Sequence, residues 1–248
     1  MPALSAYSGK LDYSYAPGFY PAAECLLHRP EAARRLLLHS SAQGREGAER
    51  LCALARERGL RVETADRALS RLSGKENCYA AVVFSKFQDA LDPALPHVAL
   101  HEPGDSGNVG TILRTALGFG VEDVALFRPC VDVFDPKCVR ASMGSLFSLR
   151  VRVYDDFEAY RAEFPNRRLF PFMLDGAVSL TEALRGEQAS REPWTLVFGN
   201  EGRGLPPSFA ALGQAVRIES GDRVDSLNLA VAAGIGIYAF TRPLSGRS

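Results

Sequence analysis

A glycine-rich loop follows an apolar run late in the chain: Trp194-Thr195-Leu196-Val197-Phe198-Gly199-Asn200-Glu201-Gly202-Arg203-Gly204-Leu205. The apolar run predicts a buried strand that ends where the glycines begin. Three glycines within six residues let the backbone bend sharply and approach a ligand closely. Ligands of open α/β sheets bind at the carboxyl ends of the strands, so this loop is a candidate binding site. The alternative interpretation is a tight turn with solvated charges.

Two other stretches share the pattern of a polar loop that leads directly into a helix. They read Gly107-Asn108-Val109-Gly110-Thr111-Ile112-Leu113-Arg114-Thr115-Ala116 and Val224-Asp225-Ser226-Leu227-Asn228-Leu229-Ala230-Val231-Ala232-Ala233-Gly234. In this order, the three stretches resemble the signature motifs of the SpoU (TrmH-type) RNA 2′-O-ribose methyltransferases, a family of the SPOUT class. The resemblance covers residues 98–241, and three ordered motifs are far more specific than any one of them.

The predicted fold class is α/β, with a SPOUT domain over residues 97–248. Alternating strands and helices predict a mostly parallel sheet that is covered by helices on both faces. The resemblance implies a deep trefoil knot that holds S-adenosylmethionine. Deep knots are rare among protein folds, so only the resemblance, and no periodicity argument, supports one.

A smaller α/β domain is predicted over residues 1–92, followed by a proline-containing linker within residues 89–96. Residues 1–18 lack a periodic pattern, which favours a loose arm. From residue 19 onward, an α-β-α-β-α-β series predicts the domain itself. Its element order, with Gly74-Lys75-Glu76-Asn77-Cys78 before the last strand, resembles the L30e-like domain with which many SpoU enzymes hold RNA.

The resemblance implies a catalytic set around a ribose hydroxyl. Arg114 would act on the 2′-hydroxyl, and Asn108 would hold Arg114 or the ribose. Glu201 would fix the loop or pair with an arginine. Ser226 and Asn228 open the last helix, where Ser226 is also explained as an ordinary N-cap. An arginine pKa above about 12 makes a neutral guanidine costly, so we favour an orienting role for Arg114.

The cofactor implied by the resemblance is S-adenosylmethionine, held largely through backbone groups at Gly199, Ile218 and Leu227. The whole predicted cofactor-binding set is Leu196, Phe198, Gly199, Ile218, Leu227 and Asn228. Taken singly, these apolar residues read as ordinary core residues at strand ends.

RNA contacts are predicted at basic side chains in both halves of the chain. Arg140 lies in a stretch that resembles a substrate-side segment of the family, although a helical surface arginine explains it equally well. Arg34, Arg35 and Lys75, with Arg45 and Lys86, would form a phosphate-binding patch if they cluster. Otherwise they are solvated charges, which is the more common outcome for any one of them.

Net charge gives a weak argument against RNA binding. The chain has 29 basic and 29 acidic residues, whereas proteins that hold RNA through its phosphates usually have a basic surplus. The five cysteines have no metal-ligand spacing, which predicts no metal site and a reducing, cytoplasmic compartment. No apolar run approaches about 18 residues, and the N-terminus has no secretion signal, so no membrane contact is expected.

The favoured function is S-adenosylmethionine-dependent 2′-O-methylation of ribosomal or transfer RNA. The first alternative is a knotted RNA-binding protein that has lost catalysis. A nucleotide-dependent enzyme of another α/β family is the second, but the glycine spacing GxxGxG is not a dinucleotide fingerprint. A homodimer through the C-terminal domain is also expected, since the last helix is apolar on almost every side and such a helix is buried all round.

Overall fold

The computed structural model describes residues 6–73, 78–175, 177–187, 192–221, 223 and 226–242. In chain order, the strands are β1 (Tyr13–Pro17), β2 (Ala33–Leu38), β3 (Arg61–Thr64), β4 (Ala80–Ser85), β5 (His97–His101), β6 (Asp123–Phe127), β7 (Arg150–Tyr154), β8 (Arg168–Pro171), β9 (Val178–Ser179), β10 (Trp194–Phe198) and β11 (Val216–Arg217). The α-helices are α1 (Phe19–His28), α2 (Glu46–Glu57), α3 (Asp66–Ser73), α4 (Ser106–Gly118), α5 (Pro136–Ala141), α6 (Phe157–Glu163), α7 (Leu180–Glu187) and α8 (Leu229–Thr241).

The chain divides into two compact units. Unit 1 contains Met1–Phe87 and Asp132–Ser148, and unit 2 contains Gln88–Val131 and Leu149–Ser248. The division differs from the predicted domains at two segments, because residues 132–148 pack with unit 1 and residues 88–92 belong to unit 2. Within that unit, the Asp132 carboxylate accepts hydrogen bonds from the Tyr7 hydroxyl and, at 2.8 Å, from Lys86 Nζ.

Unit 1 has a mixed four-stranded sheet in the order β1-β4-β2-β3. β4 is antiparallel to both of its neighbours, and β2 and β3 are parallel. Buried side chains of this sheet and of α3 form one cluster of the core, which contains Tyr15, Leu37, Leu69, Cys78, Ala81 and Val83.

The prediction of a loose arm over residues 1–18 is wrong at β1. This strand pairs with β4 from Tyr13↔Ser85 to Pro17↔Ala81, and Ser14, Tyr15 and Ala16 have no solvent exposure. A strand that is buried on both faces needs no alternation of polar and apolar residues. The hydroxyl of Ser14 therefore takes an internal partner, the carbonyl oxygen of Phe134.

Residues 136–147 do not form one continuous helix. α5 ends at Ala141, and a 3-10 turn follows at Ser145–Phe147. Between them, Met143 and Gly144 have φ values of 52° and 82°, a conformation that ends a right-handed helix.

Unit 2 is built on five parallel strands in the order β7-β6-β5-β10-β8. The predicted α/β class and mostly parallel sheet are therefore confirmed. The central strands are almost wholly apolar: Val98, Ala99 and Leu100 of β5 have no exposure, and neither do Leu196 and Val197 of β10. Strands buried on both faces have this continuous apolar character.

The strand order of unit 2 reverses between β5 and β10. The chain proceeds from β5 outward to β6 and β7, whereas the later strands β8 and β10 lie on the other side of β5. Parallel pairing of Phe198 with Leu100 brings the ends of β10 and β5 together. The loops that follow these strands thus leave the sheet side by side, where α/β proteins bind ligands.

Helix α8 is shorter and less buried than its sequence predicts. It begins at Leu229, after the N-cap Asn228, instead of at Ser226. Val231, Ile235 and Tyr238 are 51%, 36% and 50% exposed; their spacing places them on one side of the helix. The helix packs against α4 and β10 of the same unit. Nowhere in the described part of the chain is a helix both long and apolar enough to cross a membrane.

Candidate active site

Glu201 joins the loops that follow β5 and β10. Its carboxylate accepts hydrogen bonds from Gly104 N–H at 2.9 Å, Asp105 N–H at 3.1 Å and Asn108 Nδ2 at 3.2 Å. Partial burial acts to raise the pKa of Glu201, but the hydrogen bonds, led by that from Gly104, outweigh it and lower the pKa. Glu201 is thus an ionised carboxylate that fixes the loops; within the described part of the chain it forms no ion pair with an arginine.

Asn200 gives the glycine-rich loop its shape. Its backbone exchanges two hydrogen bonds with Gly204, at 3.2 and 2.9 Å. Its Oδ1 accepts from Gly202 N–H at 3.0 Å and from Arg203 N–H at 3.2 Å. Its Nδ2 donates to the carbonyl oxygen of Glu102 at 2.8 Å, which adds a further link to the loop after β5.

Gly199 occupies the point where this loop folds back on itself. A Cβ atom at Gly199 would lie 2.2 Å from the carbonyl carbon of Gly204 and 2.4 Å from the nitrogen of Leu205. Because both contacts are with backbone, no rotation of a neighbouring side chain would relieve them. The closed loop therefore requires glycine at this position.

Asn108 and Asn228 connect the starts of α4 and α8. Asn228 caps α8, where its Oδ1 accepts from the N–H groups of Ala230 and Val231 at 2.9 and 3.3 Å. Its Nδ2 donates to Asn108 Oδ1 at 3.0 Å. Since Asn108 Nδ2 also donates to Glu201, the three side chains form one polar row, and Asn108 holds neither Arg114 nor any other cation of the described residues.

A cavity of about 550 Å³ lies beside this row. It is lined by four of the predicted cofactor-binding residues, Phe198, Gly199, Ile218 and Leu227, and by Ser226 and Glu201 of the predicted catalytic set. The other two predicted cofactor-binding residues are placed differently. Leu196 is fully buried inside β10, and Asn228 is the helix cap described above.

Arg114 lies on the exposed side of α4, two turns into the helix. Among the described residues it has no hydrogen-bond or ion-pair partner. Arg203, which lines the cavity, is instead held by Glu102 at 2.9 Å. Within the described part of unit 2, Arg114 is therefore a cation without an acidic partner, and it remains a predicted catalytic residue.

Two of the predicted RNA-binding residues are paired with acids. Arg34 pairs with Asp12 at 2.7 Å, and Arg35 lies 3.5 Å from Glu63. Arg140 lies on α5, in unit 1. Lys75 lies outside the described residues.

Three residues of the loop after β5 that make these contacts were not predicted from the sequence. Asp105 caps α4 by accepting from Asn108 N–H at 2.7 Å, and Glu102 binds Arg203. Gly104 donates to Glu201. Asp105 was detectable, because an aspartate immediately before a helix is a common N-cap signal. Glu102 and Gly104 form hydrogen bonds with a loop nearly 100 residues later in the chain, and local sequence patterns do not reveal such partners.

A cavity at the point where a parallel sheet reverses its strand order, with a glycine loop at its edge, defines a ligand-binding α/β protein. The profile of the SpoU rRNA Methylase family matches residues 96–238, which contain the sheet, the cavity and the polar row. The chain belongs to this family.

Individual relatives agree with the family assignment. An uncharacterised tRNA/rRNA methyltransferase of Synechocystis is 34% identical over 56% of this chain and 50% of its own length. The 23S rRNA (uridine(2479)-2′-O)-methyltransferase of Streptomyces viridochromogenes is 34% identical over 61% and 54%. The matched part thus spans about half the length of these relatives. The crystal structure of an rRNA methyltransferase from Sinorhizobium meliloti with bound AdoMet is similar, with a TM-score of 0.78, 26% identity and coverage of 95% of this chain and 89% of that one.

Proposed function

We propose that this chain is an S-adenosylmethionine-dependent methyltransferase that acts on a ribose 2′-hydroxyl of ribosomal or transfer RNA. The observation that carries the proposal is the row Glu201–Asn108–Asn228 beside the cavity of unit 2. Membership of the SpoU family supports RNA methylation, and the name of the Streptomyces viridochromogenes relative supports the 2′-O position.

The cavity residues fit S-adenosylmethionine. Its volume of about 550 Å³ lies in the usual range for small-molecule sites, about 300–1,000 Å³. Phe198, Ile218 and Leu227 offer apolar surface to an adenine ring, and their backbone groups suit its polar edge. Gly199 keeps the loop closed against the strand end, so that main chain forms this part of the cavity wall. When bound, this cofactor would supply an electrophilic methyl group.

Catalysis would then depend on how this chain positions the RNA. The ribose oxygen forms a bond to the methyl carbon as the carbon–sulfur bond breaks, and the hydroxyl proton leaves to water or to the RNA phosphate. Arg114 would orient the hydroxyl and the neighbouring phosphate as a charged donor, since a neutral guanidine is costly. Glu201 and Asn108 would hold the two loops in register. Positioning of this kind can supply much of the barrier reduction.

Titration calorimetry and ribose mapping test the proposal. We expect S-adenosylmethionine to bind in the presence of EDTA, because among the described residues there is no group of three or more potential metal ligands. Ribose methylation mapped in RNA from cells with and without the gene should differ at one or a few sites. Absence of binding would refute the proposal, and binding without any methylation would favour the knotted RNA-binding alternative.

We further propose that unit 2 is tied in the trefoil knot of its family and that unit 1 is the L30e-like, RNA-holding part of the chain. The knot is supported by membership of the SpoU family and by the return of α8 onto β10 and α4. The role of unit 1 is supported by its compact separate sheet.

We also predict that the chain is a homodimer through α8. Val231, Ile235 and Tyr238 form an exposed apolar stripe, which a second copy would bury. Replacing Ile235 with aspartate should place a charge in that interface and convert the dimer to a monomer, whereas Thr111→Asp on α4 should not. Light scattering at micromolar concentration measures both, and a monomeric wild type would contradict the prediction.

A further inference from the structure

The basic side chains of unit 1 differ in how their charges are compensated. Three of the five residues predicted to form a phosphate patch are paired with acids: Arg34 with Asp12, Arg35 with Glu63 and Lys86 with Asp132. Arg45 is exposed and has no acidic partner among the described residues. Its surroundings are aromatic instead.

Arg45 lies against an aromatic cluster. The central carbon of its guanidinium lies 4.0 Å from the centre of the Tyr79 ring, and its Nε donates to the carbonyl oxygen of Ser41 at 3.2 Å. On Tyr79, the Phe19 ring stacks at 6.3 Å and an angle of 11°, and His39 packs edge-on at 6.2 Å. The orientation of the guanidinium is therefore set before any ligand arrives.

A glycine keeps this cluster compact. A Cβ atom at Gly47, in the first turn of α2, would lie 2.9 Å from the Phe19 ring. Any larger residue would displace Phe19 from beneath Tyr79. Phe19 and Arg45 thus both pack against Tyr79, and Arg45 is the exposed cation of this preorganised cluster.

We propose that Arg45, backed by Tyr79, is a stacking platform for an unpaired base of RNA; this proposal rests on the proposed function of the chain. Unstacked bases bind to aromatic side chains and to guanidinium planes. A base suits the site better than a phosphate does, because the acidic residues Glu46 and Glu49 occupy the first turn of α2 beside Arg45. A flat, weakly hydrated cation supported on a ring gives its free face to such a base.

Fluorescence anisotropy with the full chain tests the platform, using a labelled oligoadenylate of about 12 nucleotides, a length within the site sizes of single-strand binders. A fully paired RNA of equal length serves as the comparison. Arg45→Ala should weaken oligoadenylate binding about 10-fold, as expected for the loss of one stacked base. Arg45→Lys should be nearly as weak, because it keeps the charge and loses the plane. Tyr79→Phe keeps the ring and should bind like the wild type.

Arg61→Ala is the matched control, because Arg61 is also an exposed arginine of unit 1 but is paired with Glu63 at 3.1 Å. It should change binding less than about 2-fold. Wild-type affinity in Arg45→Lys or Arg45→Ala, or no binding of oligoadenylate by the wild type, would overturn the platform. S-adenosylmethionine binding and methylation of cellular RNA, measured on the same preparations, show separately whether the proposed function fails.

Discussion

Replacing Arg114 with alanine is expected to lower single-turnover methylation of RNA by about 100-fold or more, while the affinity for S-adenosylmethionine changes little. The first effect follows because Arg114 would contact the reacting hydroxyl and its phosphate most strongly in the transition state, and about 100-fold corresponds to ~2.7 kcal/mol. The second follows because Arg114 does not line the cavity. Alanine is favoured in helices and the side chain is exposed, so α4 should remain folded.

Two further variants separate this role from simple loss of charge. Arg114→Lys should not restore turnover, since one ammonium cannot reproduce a planar two-pronged contact. Arg161→Ala removes a surface arginine of the same unit, one that lies 3.8 Å from Glu158, and should leave turnover unchanged. Rapid-quench methylation of cellular RNA, with calorimetry of cofactor binding, measures all three. Near-normal turnover in Arg114→Ala would place the chemistry elsewhere and leave Arg114 as a surface charge.

The sequence was most informative where a residue type serves one local need. Asn228 was selected by the family resemblance, and the structure shows that it has the capping role that the sequence favoured for Ser226: it caps α8 and binds Asn108 with the same amide. The glycines of the late loop were likewise visible as a sharp turn, because backbone bending of that kind is a local property.

Long-range partners were beyond the reach of the sequence. Glu201 could be assigned either to the loop or to an arginine, and only the fold brings Gly104 and Asp105 within hydrogen-bonding distance of it. The phosphate patch remains a prediction. The acids that pair with Arg34 and Arg35 come from other strands or loops, and charge spacing along the chain does not predict them.

Two segments of unit 1 were predicted wrongly, because the structure of each depends on the element that packs against it. β1 carries serine and tyrosine, which are typical of exposed chain. Its residues Ser14 and Tyr15 are nevertheless fully buried in the strand that pairs with β4. The break after α5 depends on Gly144, where a Cβ would lie 2.7 Å from Glu24. The local periodicity of the sequence reveals neither contact. For the same reason, residues 132–148 could not be assigned to unit 1 from the sequence.

Replacing Gly199 with alanine is expected to weaken S-adenosylmethionine binding by about 100-fold or more and to abolish methylation with it. The added Cβ would overlap the main chain at Gly204 and Leu205, at 2.2 and 2.4 Å. Contacts that short force the loop away from the end of β10, and overpacking of this kind typically costs about 1–3 kcal/mol or more. The displaced loop would carry Asn200 and Glu201 with it, so both links to the loop after β5 should loosen.

Gly202 provides the matched control within the same turn. A Cβ at Gly202 would meet only Asn200 Oδ1, at 3.7 Å, and the residue does not have a positive φ. Gly202→Ala should therefore bind the cofactor within about 3-fold of the wild type, a difference below ~1 kcal/mol. Calorimetry of both variants, with circular dichroism and thermal melting to verify folding, gives the comparison. If a folded Gly199→Ala protein bound S-adenosylmethionine as tightly as Gly202→Ala does, the closed loop would not be part of the cofactor site, and the cavity of unit 2 would have to serve another ligand.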